Sequence, residues 1–498
     1  DIEMSKQTKD NKGFNISRTT YILTLIFALF IGAGGALVIG NYFTNAADAP
    51  EENIVENNSE SDAYTQYLFE QPEELSSISK MLSILETSYF EDVDSEQLIE
   101  GALDGMANAT GDPYTEYLNE EETASFQEDV SGSFQGIGAE VMKDGEYVRI
   151  VSPIANSPAE TAGLQPNDLI VEVDGESVAD LTINEAVALI RGPEGSEVEL
   201  LILRGDDQFT LSVTRATIPL ETVFYEVDET DSSIGYVNIV NFNMPTYEET
   251  ITAIEELEDR GVTKIIFDVR GNPGGLLSTA LQVSNIFVPN GKPLMMTQEG
   301  NQEEPQVIEA SEEFGEYKYE GDAILLVDEG SASASEILAG AMESVGIPIY
   351  GTTTFGKGTV QSVVSLGAND ELKFTSGKWL TADGEWINEK GVEPDVVVEL
   401  PEYAKLFVVN PSDTFEVGEA SPEISNLKSV LRALDYDVSD TEVFDESVVE
   451  AIRQFQSENN LPVDGTITSD TARTLTDALR SQIEENDTQY DAAVEALR

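Results

Sequence analysis

The spacing of apolar residues changes several times along the chain, and each change predicts a different kind of element. Residues 19–47 carry no charged side chain and form a nearly unbroken apolar run at their centre, about long enough for a membrane-spanning helix. Apolar positions at helical spacing within 75–106 predict two helices. From Phe134 the pattern changes to short strands with one helix near 182–191. Strands and helices then alternate over 234–327, which is typical of an α/β core containing parallel strands.

Beyond a looser stretch at 401–420, three more apolar stripes at helical spacing predict a small helical module. They lie within 427–434, 448–456 and 471–479. The helical region ahead of the strands, 64–125, is expected to act as a scaffold, and its apolar stripe would suit a dimer contact equally well.

Charged residues around the first apolar run predict its orientation. Basic residues precede it, whereas 48–62 is acidic and holds no basic residue. The positive-inside rule then places the N-terminal tail in the cytoplasm and everything after the helix outside. The alternative is a cleaved signal peptide, since the small residues Ala46 and Ala47 would suit a peptidase, but the run is long for one. We expect an uncleaved anchor.

Composition excludes several classes of function. The 498 residues include 26 Lys and Arg against 95 Asp and Glu, a formal net charge of −69. Such a surface repels nucleic-acid phosphates, so no nucleic-acid partner is expected. The chain has no Cys and no His. Thiol catalysis and Ser-His-Asp catalysis are therefore impossible, and any acid-base step must use carboxylates, Lys or Tyr.

A glycine-bearing segment at the start of the strand-rich region predicts a binding site for a carboxylate. Gly136, Ile137, Gly138 and Ala139 can direct successive backbone N–H groups towards one point, because glycine adopts the conformations that this needs. Together with the strand order and the segment 157–164, these residues resemble a PDZ domain. The resemblance implies that the loop binds the terminal carboxylate of a peptide, which adds a strand alongside.

Three serines at alternate positions follow a predicted strand and open a predicted helix. Within the triplet Ser331, Ser333 and Ser335, helix capping is the first explanation for Ser331, because serine accepts hydrogen bonds from the first N–H groups of a helix. A single cap does not require three serines. A hydroxyl at this position also lies beside unpaired N–H groups that can bind an oxyanion. The second interpretation is therefore a nucleophile, which needs a base.

Lys357 is the candidate base. In a chain that is 24% charged, a window the length of 345–369 should hold about six charges, and it holds only this lysine. A neutral amine at neutral pH requires the lysine pKa to fall by about 3 units. Burial away from carboxylates produces shifts of that size, and the sequence around Lys357 offers such isolation. The alternative is a lysine that reaches from an apolar strand into solvent.

The same residues overlap a second motif. Residues 351–357 match G-x-x-x-x-G-K, the start of a phosphate-binding P-loop. The match fails at Gly358, where a P-loop has Ser or Thr. Residues 360–364 also predict a strand, whereas a P-loop leads into a helix N-terminus. We therefore do not expect nucleotide binding.

Three motifs in the right order resemble the carboxyl-terminal processing, or tail-specific, serine peptidases: 268–275, 331–337 and 355–361. This family combines a membrane or signal segment, a PDZ domain and an α/β core that uses a Ser-Lys dyad. The resemblance implies that Ser333 is the nucleophile, Lys357 the general base and Gln361 the residue that orients the lysine. It also implies a homodimer.

Further site residues follow from the same resemblance. It implies an oxyanion hole made by the backbone N–H groups of Ala334 and Gly275. Arg191, at the end of the predicted PDZ helix, is a candidate for coupling the PDZ position to the site. The segment 379–387 departs from the family, which more often has a Pro and a basic residue there, so local substrate contacts are expected to differ.

The C-terminal module resembles the small helical peptidoglycan-binding module. Four short motifs support this resemblance, at 434–436, 444–445, 455–456 and 461–466. The chain has Asp435 where that module usually has Gly. The alternative is a structural or dimerising helical bundle.

The predicted architecture is a multidomain α/β protein with an N-terminal membrane helix. The segments are expected at 1–18 (cytoplasmic tail), 19–43 (transmembrane helix), 44–63 (acidic linker), 64–125 (helical N-terminal region), 126–216 (PDZ domain), 217–400 (α/β peptidase core), 401–420 (linker), 421–482 (three-helix peptidoglycan-binding-like module) and 483–498 (tail). The predicted function is a membrane-anchored serine endopeptidase, needing no metal or cofactor, that cleaves extracellular polypeptides near their free C-termini. The alternative is a catalytically idle scaffold that binds through its PDZ and cell-wall modules.

Overall fold

The computed structural model describes residues 73–205, 207–300, 302–367, 369–407, 409–410 and 415–498. The predicted cytoplasmic tail, membrane helix and acidic linker, together 1–63, lie outside these residues. Across the described ranges, no helix has the length and apolar character needed to span a bilayer. The described residues divide into two compact units, of which the first contains those within 73–130, 297–305 and 359–379, and the second contains the others.

Helices occur in every region that the structure describes. In chain order they are α1 (Glu73–Ser88), α2 (Ser95–Asn108), α3 (Glu120–Ser131), α4 (Pro158–Ala162), α5 (Ile183–Ile190), α6 (Thr246–Asp259), α7 (Leu277–Phe287), α8 (Ala334–Ser344), α9 (Pro422–Ala433), α10 (Glu446–Glu458), α11 (Ser469–Glu484) and α12 (Thr488–Leu497). Two short 3₁₀ turns lie at Glu312–Phe314 and Glu402–Lys405.

Apart from β1, the strands that the structure describes lie between α3 and α9. In chain order they are β1 (Glu116–Leu118), β2 (Ser133–Gly136), β3 (Ala139–Asp144), β4 (Tyr147–Pro153), β5 (Leu169–Val173), β6 (Glu176–Ser177), β7 (Glu197–Arg204), β8 (Asp207–Thr214), β9 (Ala216–Pro219), β10 (Val223–Val227), β11 (Ile234–Ile239), β12 (Lys264–Asp268), β13 (Pro293–Glu299), β14 (Gln306–Glu309), β15 (Asp322–Val327), β16 (Ile349–Gly351), β17 (Thr359–Ser365), β18 (Glu371–Leu380) and β19 (Val396–Val397).

The first unit combines α1 and α2 with a small antiparallel arrangement. Strand β18 pairs with β1 and with β17. Asp112 accepts hydrogen bonds from the hydroxyl groups of Thr115 (2.5 Å) and Thr375 (2.6 Å), which ties the turn before β1 to β18. Apolar side chains on α1 and α2 are exposed, among them Met81 and Met106. This confirms the predicted helices and their exposed stripe, while the dimer stays a prediction.

An antiparallel sheet in the second unit has the strand order β3-β4-β5-β7-β8, with β6 paired to β5. Its core contains fully buried Val148, Ile150 and Ile202. Helix α5 begins at a capping box, in which the side chain of Thr182 accepts from the N–H of Glu185 and Glu185 accepts from Thr182 in return. Strand β3 is the first strand in this order, so one of its edges is not paired within the sheet.

The central sheet of the second unit has the order β10-β11-β12-β15-β16-β19. Strands β10 and β11 are antiparallel, and every later neighbouring pair is parallel. This confirms the predicted α/β core. Asp268, at the end of β12, is opposite Leu326 of β15. Because parallel strands end at the same edge, the loops 269–276 and 328–333 emerge side by side.

Helices α9, α10 and α11 pack around one apolar cluster that includes Leu427, Ile452 and Leu475. Lys428 is fully buried in this module. Its ammonium donates to the carbonyls of neighbouring residues, including Val443 at 3.0 Å, and forms an ion pair with Asp445 at 3.4 Å. The three predicted helices of the C-terminal module are therefore confirmed.

The segment after the module differs from the sequence expectation. The sequence predicts only a tail at 483–498, but α11 continues to Glu484 and α12 follows it. Ala493, Val494 and Leu497 of α12 pack on apolar residues of the central sheet. The apolar residues of this helix fall at helical spacing, but ten residues are too few to be recognised as a core helix without knowing what they cover.

Candidate active site

Ser333 lies at the carboxyl edge of the central sheet. The loop 328–333 connects β15 to α8, and Ser333 is the cap residue at which the helix begins. Its backbone has φ 53° and ψ −108°. A positive φ is uncommon outside glycine, and a strained residue of this kind costs about 1–3 kcal/mol. Strained residues of this kind cluster at functional sites. The side chain of Ser333 is half-buried.

The two outer serines of the triplet hold the loops in place. Ser331 donates its hydroxyl to the carbonyl of Val269 at 2.8 Å, and Ser335 donates to the carbonyl of Asn272 at 2.9 Å. Both side chains are fully buried. Neither hydroxyl can meet a substrate without breaking its own hydrogen bond. Of the three serines, Ser333 is the one with solvent access.

Asn272 ties the loop 269–276 to the loop 328–333, which we call the serine loop. Its amide donates to the carbonyl of Ile239 at 2.7 Å and its amide oxygen accepts from the N–H of Gly274 at 2.9 Å. Its backbone carbonyl accepts from the N–H of Ala332 at 3.0 Å. Asn272 is fully buried. These bonds make the two loops one hydrogen-bonded assembly.

Two glycines of this loop cannot carry a side chain. Gly274 has φ 108° and Gly275 has φ 144°. A Cβ on Gly274 would lie 3.0 Å from the backbone nitrogen of Ala334, and a Cβ on Gly275 would lie 2.3 Å from the carbonyl oxygen of Phe242. Gly274 therefore packs against the peptide that carries the Ala334 N–H. The structure thus places the predicted donors Gly275 and Ala334 on neighbouring backbone segments.

A buried glutamate joins the serine loop to the loop 352–358. We call this second segment the lysine loop. The carboxylate of Glu336, in the first turn of α8, accepts from the N–H groups of Ser333 and Lys357, both at 2.8 Å. It also accepts from the N–H of Gly356 and the hydroxyl of Thr354, both at 2.6 Å. A carboxylate offers about four acceptor positions. Glu336 uses them all to fix the backbone of Ser333 relative to that of Lys357.

The predicted isolation of the Lys357 amine from carboxylates stays a prediction, although a carboxylate does contact the backbone of this residue. The Glu336 carboxylate binds its backbone N–H, and the side chain of Lys357 is half-buried. The P-loop alternative fails as expected, because strand β17 begins at Thr359 and no helix starts there. The carbonyl of Gly358 instead accepts from the indole of Trp386 at 2.9 Å.

Gln361 belongs to the other compact unit. Its side-chain amide donates to the hydroxyl groups of Thr359 at 3.0 Å and Thr375 at 3.2 Å. These bonds hold the amide in one orientation on β17. Its assignment as the residue that orients Lys357 stays a prediction.

The predicted carboxylate-binding loop precedes strand β3. Gly136, Ile137 and Gly138 are buried, and Ala139 opens β3. Gly138 has φ 74°, and a Cβ there would lie 2.5 Å from Cβ of Ser157. The loop therefore leads directly to the unpaired edge of the sheet, which is where a peptide could add a strand.

Arg191 follows α5 as its cap residue. Its guanidinium carbon lies 5.1 Å from the centre of the Phe134 ring, a cation-π contact. A Cβ on Gly136 would lie 3.3 Å from that ring and 3.8 Å from Arg191. Arg191 thus lies beside the carboxylate-binding loop. Its coupling role stays a prediction.

Sequence reasoning missed two residues that organise this site, Glu336 and Asn272. Ser333 followed by Glu336 matches the capping-box spacing, which signals one of the four hydrogen bonds that the glutamate accepts. The other three involve residues of the lysine loop, about 20 positions later, and no local signal marks them. Asn272 sits in a recognised motif but carries no pattern that specifies its partners.

The chain matches models of known protein families over most of its length. The model of peptidase family S41 matches 233–398, and a PDZ-domain model matches 149–204. The putative peptidoglycan binding domain matches 420–475, and the N-terminal domain of the activating protease CtpB matches 29–123. The carboxy-terminal processing protease CtpA of Bacillus subtilis (strain 168) is 41% identical over 424 residues, covering 84% of this chain and 90% of that protein. The chain belongs to peptidase family S41.

Other relatives are similar over comparable lengths. A probable CtpA-like serine protease of Staphylococcus aureus (strain MSSA476) is 36% identical over 426 residues, which cover 85% of each chain. Among solved structures, the photosystem II D1 C-terminal processing protease is 27% identical, covers 66% of this chain and 95% of its own, and has a TM-score of 0.39. The predicted family and enzyme class are confirmed: the chain is a carboxy-terminal processing serine peptidase with a PDZ domain and a peptidoglycan-binding domain.

Proposed function

We propose that the chain is a membrane-anchored serine endopeptidase that uses Ser333 and Lys357 as a dyad to cleave extracellular polypeptides near their C-termini. The observation that carries this proposal is the Glu336 carboxylate, which binds the N–H groups of Ser333 and Lys357 at the same distance of 2.8 Å. With Ser331 and Ser335 engaged in structural hydrogen bonds, Ser333 is the serine that a base on the lysine loop can serve.

The mechanism is acyl-enzyme hydrolysis of a peptide bond. The neutral amine of Lys357 takes the hydroxyl proton of Ser333 as Oγ attacks the substrate carbonyl. The N–H groups of Gly275 and Ala334 stabilise the oxyanion. The lysine ammonium then gives its proton to the leaving amine. Water next attacks the acyl-enzyme with the same lysine as base, which releases the acid product and restores Ser333.

The PDZ domain supplies substrate recognition in this proposal. The loop 136–139 binds the free carboxylate, and the substrate extends along the unpaired edge of β3. Arg191, beside this loop, couples peptide binding to the catalytic core. Amidating the C-terminus of a peptide substrate should therefore raise its KM. Equal cleavage of the acid and the amide would remove PDZ capture from the proposal.

The dyad is tested by digesting an unfolded polypeptide with wild type and two variants, Ser333→Ala and Lys357→Ala. Wild type should cleave, and both variants should be inactive while keeping the wild-type circular dichroism spectrum. Ser331→Ala is the matched control, since it removes a hydroxyl from the same loop and should leave measurable activity. Cleavage by Lys357→Ala would show that the base is another group. An inert wild type would favour the alternative of a binding scaffold.

The location of the enzyme is the remaining part of the proposal. The apolar run at 19–43 anchors the chain with its catalytic domains outside, and the module at 421–482 binds peptidoglycan. The full chain should stay with membranes after alkaline extraction, whereas a chain starting at residue 48 should be released. The chain starting at residue 48 should also sediment with purified peptidoglycan. Val463→Asp, at an exposed position beside the shallow cleft formed by Glu450, Arg453 and Glu458, should weaken that sedimentation.

A further inference from the structure

Helix α12 covers one face of the central sheet, although it follows the C-terminal module in the sequence. Its residues Val494 and Leu497 belong to the same apolar cluster as Ile266 and Leu326 of the sheet. Tyr490 packs edge-on against Tyr236 with 5.4 Å between ring centres. These contacts are apolar and hold the helix against the sheet.

The first turn of α12 adds a polar contact that the apolar packing does not require. Asp487 caps the helix by accepting from the N–H of Gln489 at 3.1 Å. The same carboxylate accepts from Arg270, Nη1 to Oδ1 at 2.9 Å and Nη2 to Oδ2 at 2.7 Å. Gln489 accepts from Arg270 Nη1 at 2.9 Å and donates to the carbonyl of Val398 at 2.8 Å. The start of α12 thus binds Arg270 through two side chains.

Arg270 lies in the loop that carries the predicted oxyanion donor Gly275. Its guanidinium also binds Asp268, the last residue of β12, through Nε (2.9 Å) and Nη2 (2.6 Å). Asp268 accepts in addition from the hydroxyl of Tyr236 at 2.7 Å. The side chain of Arg270 is 14% exposed and that of Asp268 is 2% exposed. One guanidinium is therefore clamped between the end of β12 and the start of α12.

Loop hydrogen bonds continue from Arg270 towards the reacting groups. The N–H of Arg270 donates to Asp268 at 2.8 Å, and the N–H of the next residue, Gly271, donates to Asp328 at 2.7 Å. The amide of Asn272 then orients Gly274. Displacement of Arg270 would disturb this short loop, because its hydrogen bonds link consecutive residues.

We propose that Asp487 is a positioning residue: through Arg270 it fixes the loop whose Gly275 N–H stabilises the oxyanion. This inference rests on the proposed oxyanion hole. A buried ion pair is a poor source of stability, because well-packed apolar residues of the same size are often as stable. A bidentate carboxylate-guanidinium contact does define geometry closely. The ion pair between α12 and the loop is therefore assigned to orientation of the loop.

The test uses the full chain and a fluorophosphonate probe, which needs the nucleophile and the oxyanion hole but no PDZ binding. Labelling forms an Oγ–P bond on Ser333 as fluoride leaves, and the hydroxyl proton passes to the base. Asp487→Asn keeps the shape of the side chain and removes its charge. We expect labelling and kcat to slow about tenfold, less than the loss of a whole oxyanion donor, with KM changed little. Asp487→Glu should recover part of the rate.

Tyr490→Phe is the matched control, since it removes the hydrogen bond of the same helix to Asp228 (2.9 Å) without touching Arg270. It should label at the wild-type rate. If Asp487→Asn does not fold, Gln489→Met can be used instead, since it removes one contact to Arg270. This variant should slow labelling about threefold, which is less than the effect of losing a whole oxyanion donor. Folded variants that label at the wild-type rate would overturn the inference. Labelling of Ser333→Ala would instead overturn the proposed dyad.

Discussion

Replacing Glu336 by glutamine tests whether one carboxylate holds the serine and lysine loops together. The variant has nearly the same shape, but one of its two oxygens becomes an NH₂ group. Oε2 accepts from the N–H groups of Ser333 and Lys357, and Oε1 accepts from Gly356 and Thr354. An NH₂ group at either position faces two donors and can accept from neither.

Two hydrogen bonds are lost in either orientation of the amide. The hydroxyl of Thr354 cannot reverse freely, because it also accepts from the N–H of Val392 at 2.7 Å. A hydrogen bond to a charged group contributes about 1.5–3 kcal/mol, so the loss is about 3–6 kcal/mol. Part of this loss lowers the free energy of unfolding. The rest appears as a poorer position of Ser333 relative to Lys357, because the loops rearrange locally. We expect kcat/KM to fall about a hundredfold, which corresponds to about 2.7 kcal/mol of transition-state stabilisation.

Cleavage of an internally quenched peptide gives kcat/KM, and urea unfolding followed by circular dichroism gives the free energy of unfolding. Glu343→Gln is the control, since it makes the same chemical change at an exposed position on the same helix. It should match wild type in both measurements. The reasoning is refuted if Glu336→Gln behaves like Glu343→Gln. A carboxylate that orders both loops must lower kcat/KM or the free energy of unfolding when half of its hydrogen bonds are removed.

Three further predictions concern the loops and the C-terminal module. Ser331→Ala and Ser335→Ala should each lower the free energy of unfolding by about 0.5–1.5 kcal/mol, because each removes one hydrogen bond to a buried carbonyl that keeps a backbone N–H partner; urea unfolding and residual peptidase activity measure this. Gly275→Ala should reduce kcat by about a hundredfold, as for a lost oxyanion donor, since its Cβ would lie 2.3 Å from a carbonyl oxygen; steady-state kinetics and a thermal melt separate this from unfolding. The hydroxyl of Ser439 and its neighbours hold the pKa of Asp445 well below its usual range. Its charge therefore stabilises the module at every pH above the unfolded pKa of about 3.9. The difference between wild type and Asp445→Asn in hydrogen exchange of α10 should persist at neutral pH and vanish as pH falls through the folded pKa.

Local periodicity was sufficient to predict most of the elements. The spacing of apolar residues predicted the alternation of strands and helices over 234–327, which includes β11, α6 and β12. The Ser and Lys candidates were recognisable for a different reason. Their motifs combine a residue type with a chemical need, a hydroxyl at a helix N-terminus and a lysine without charged neighbours in the sequence.

Contacts between distant segments were not predictable in this way. The capping-box spacing of Ser333 and Glu336 indicates one contact only, and the bonds of Glu336 to the lysine loop depend on how β16 returns the chain to the sheet. The pairing of Arg270 with Asp487 joins residues 217 positions apart. Nothing local distinguishes Asp487 from the many other acidic residues of a chain with 95 of them. Helix α12 was missed for the same reason, since its apolar residues can be recognised as core residues only when the sheet that they contact is known.

The position of α12 has a consequence for the timing of synthesis. Ser333 and Lys357 are translated before the module, and the module is translated before the helix that covers Ile234, Ile266 and Ile324. While the chain is being made, that sheet face has no cover from its own sequence. The order of translation therefore leaves the core incomplete until residues 488–497 have been added. A nascent chain that stalls earlier carries Ser333 and Lys357 on a core whose sheet face is not yet covered.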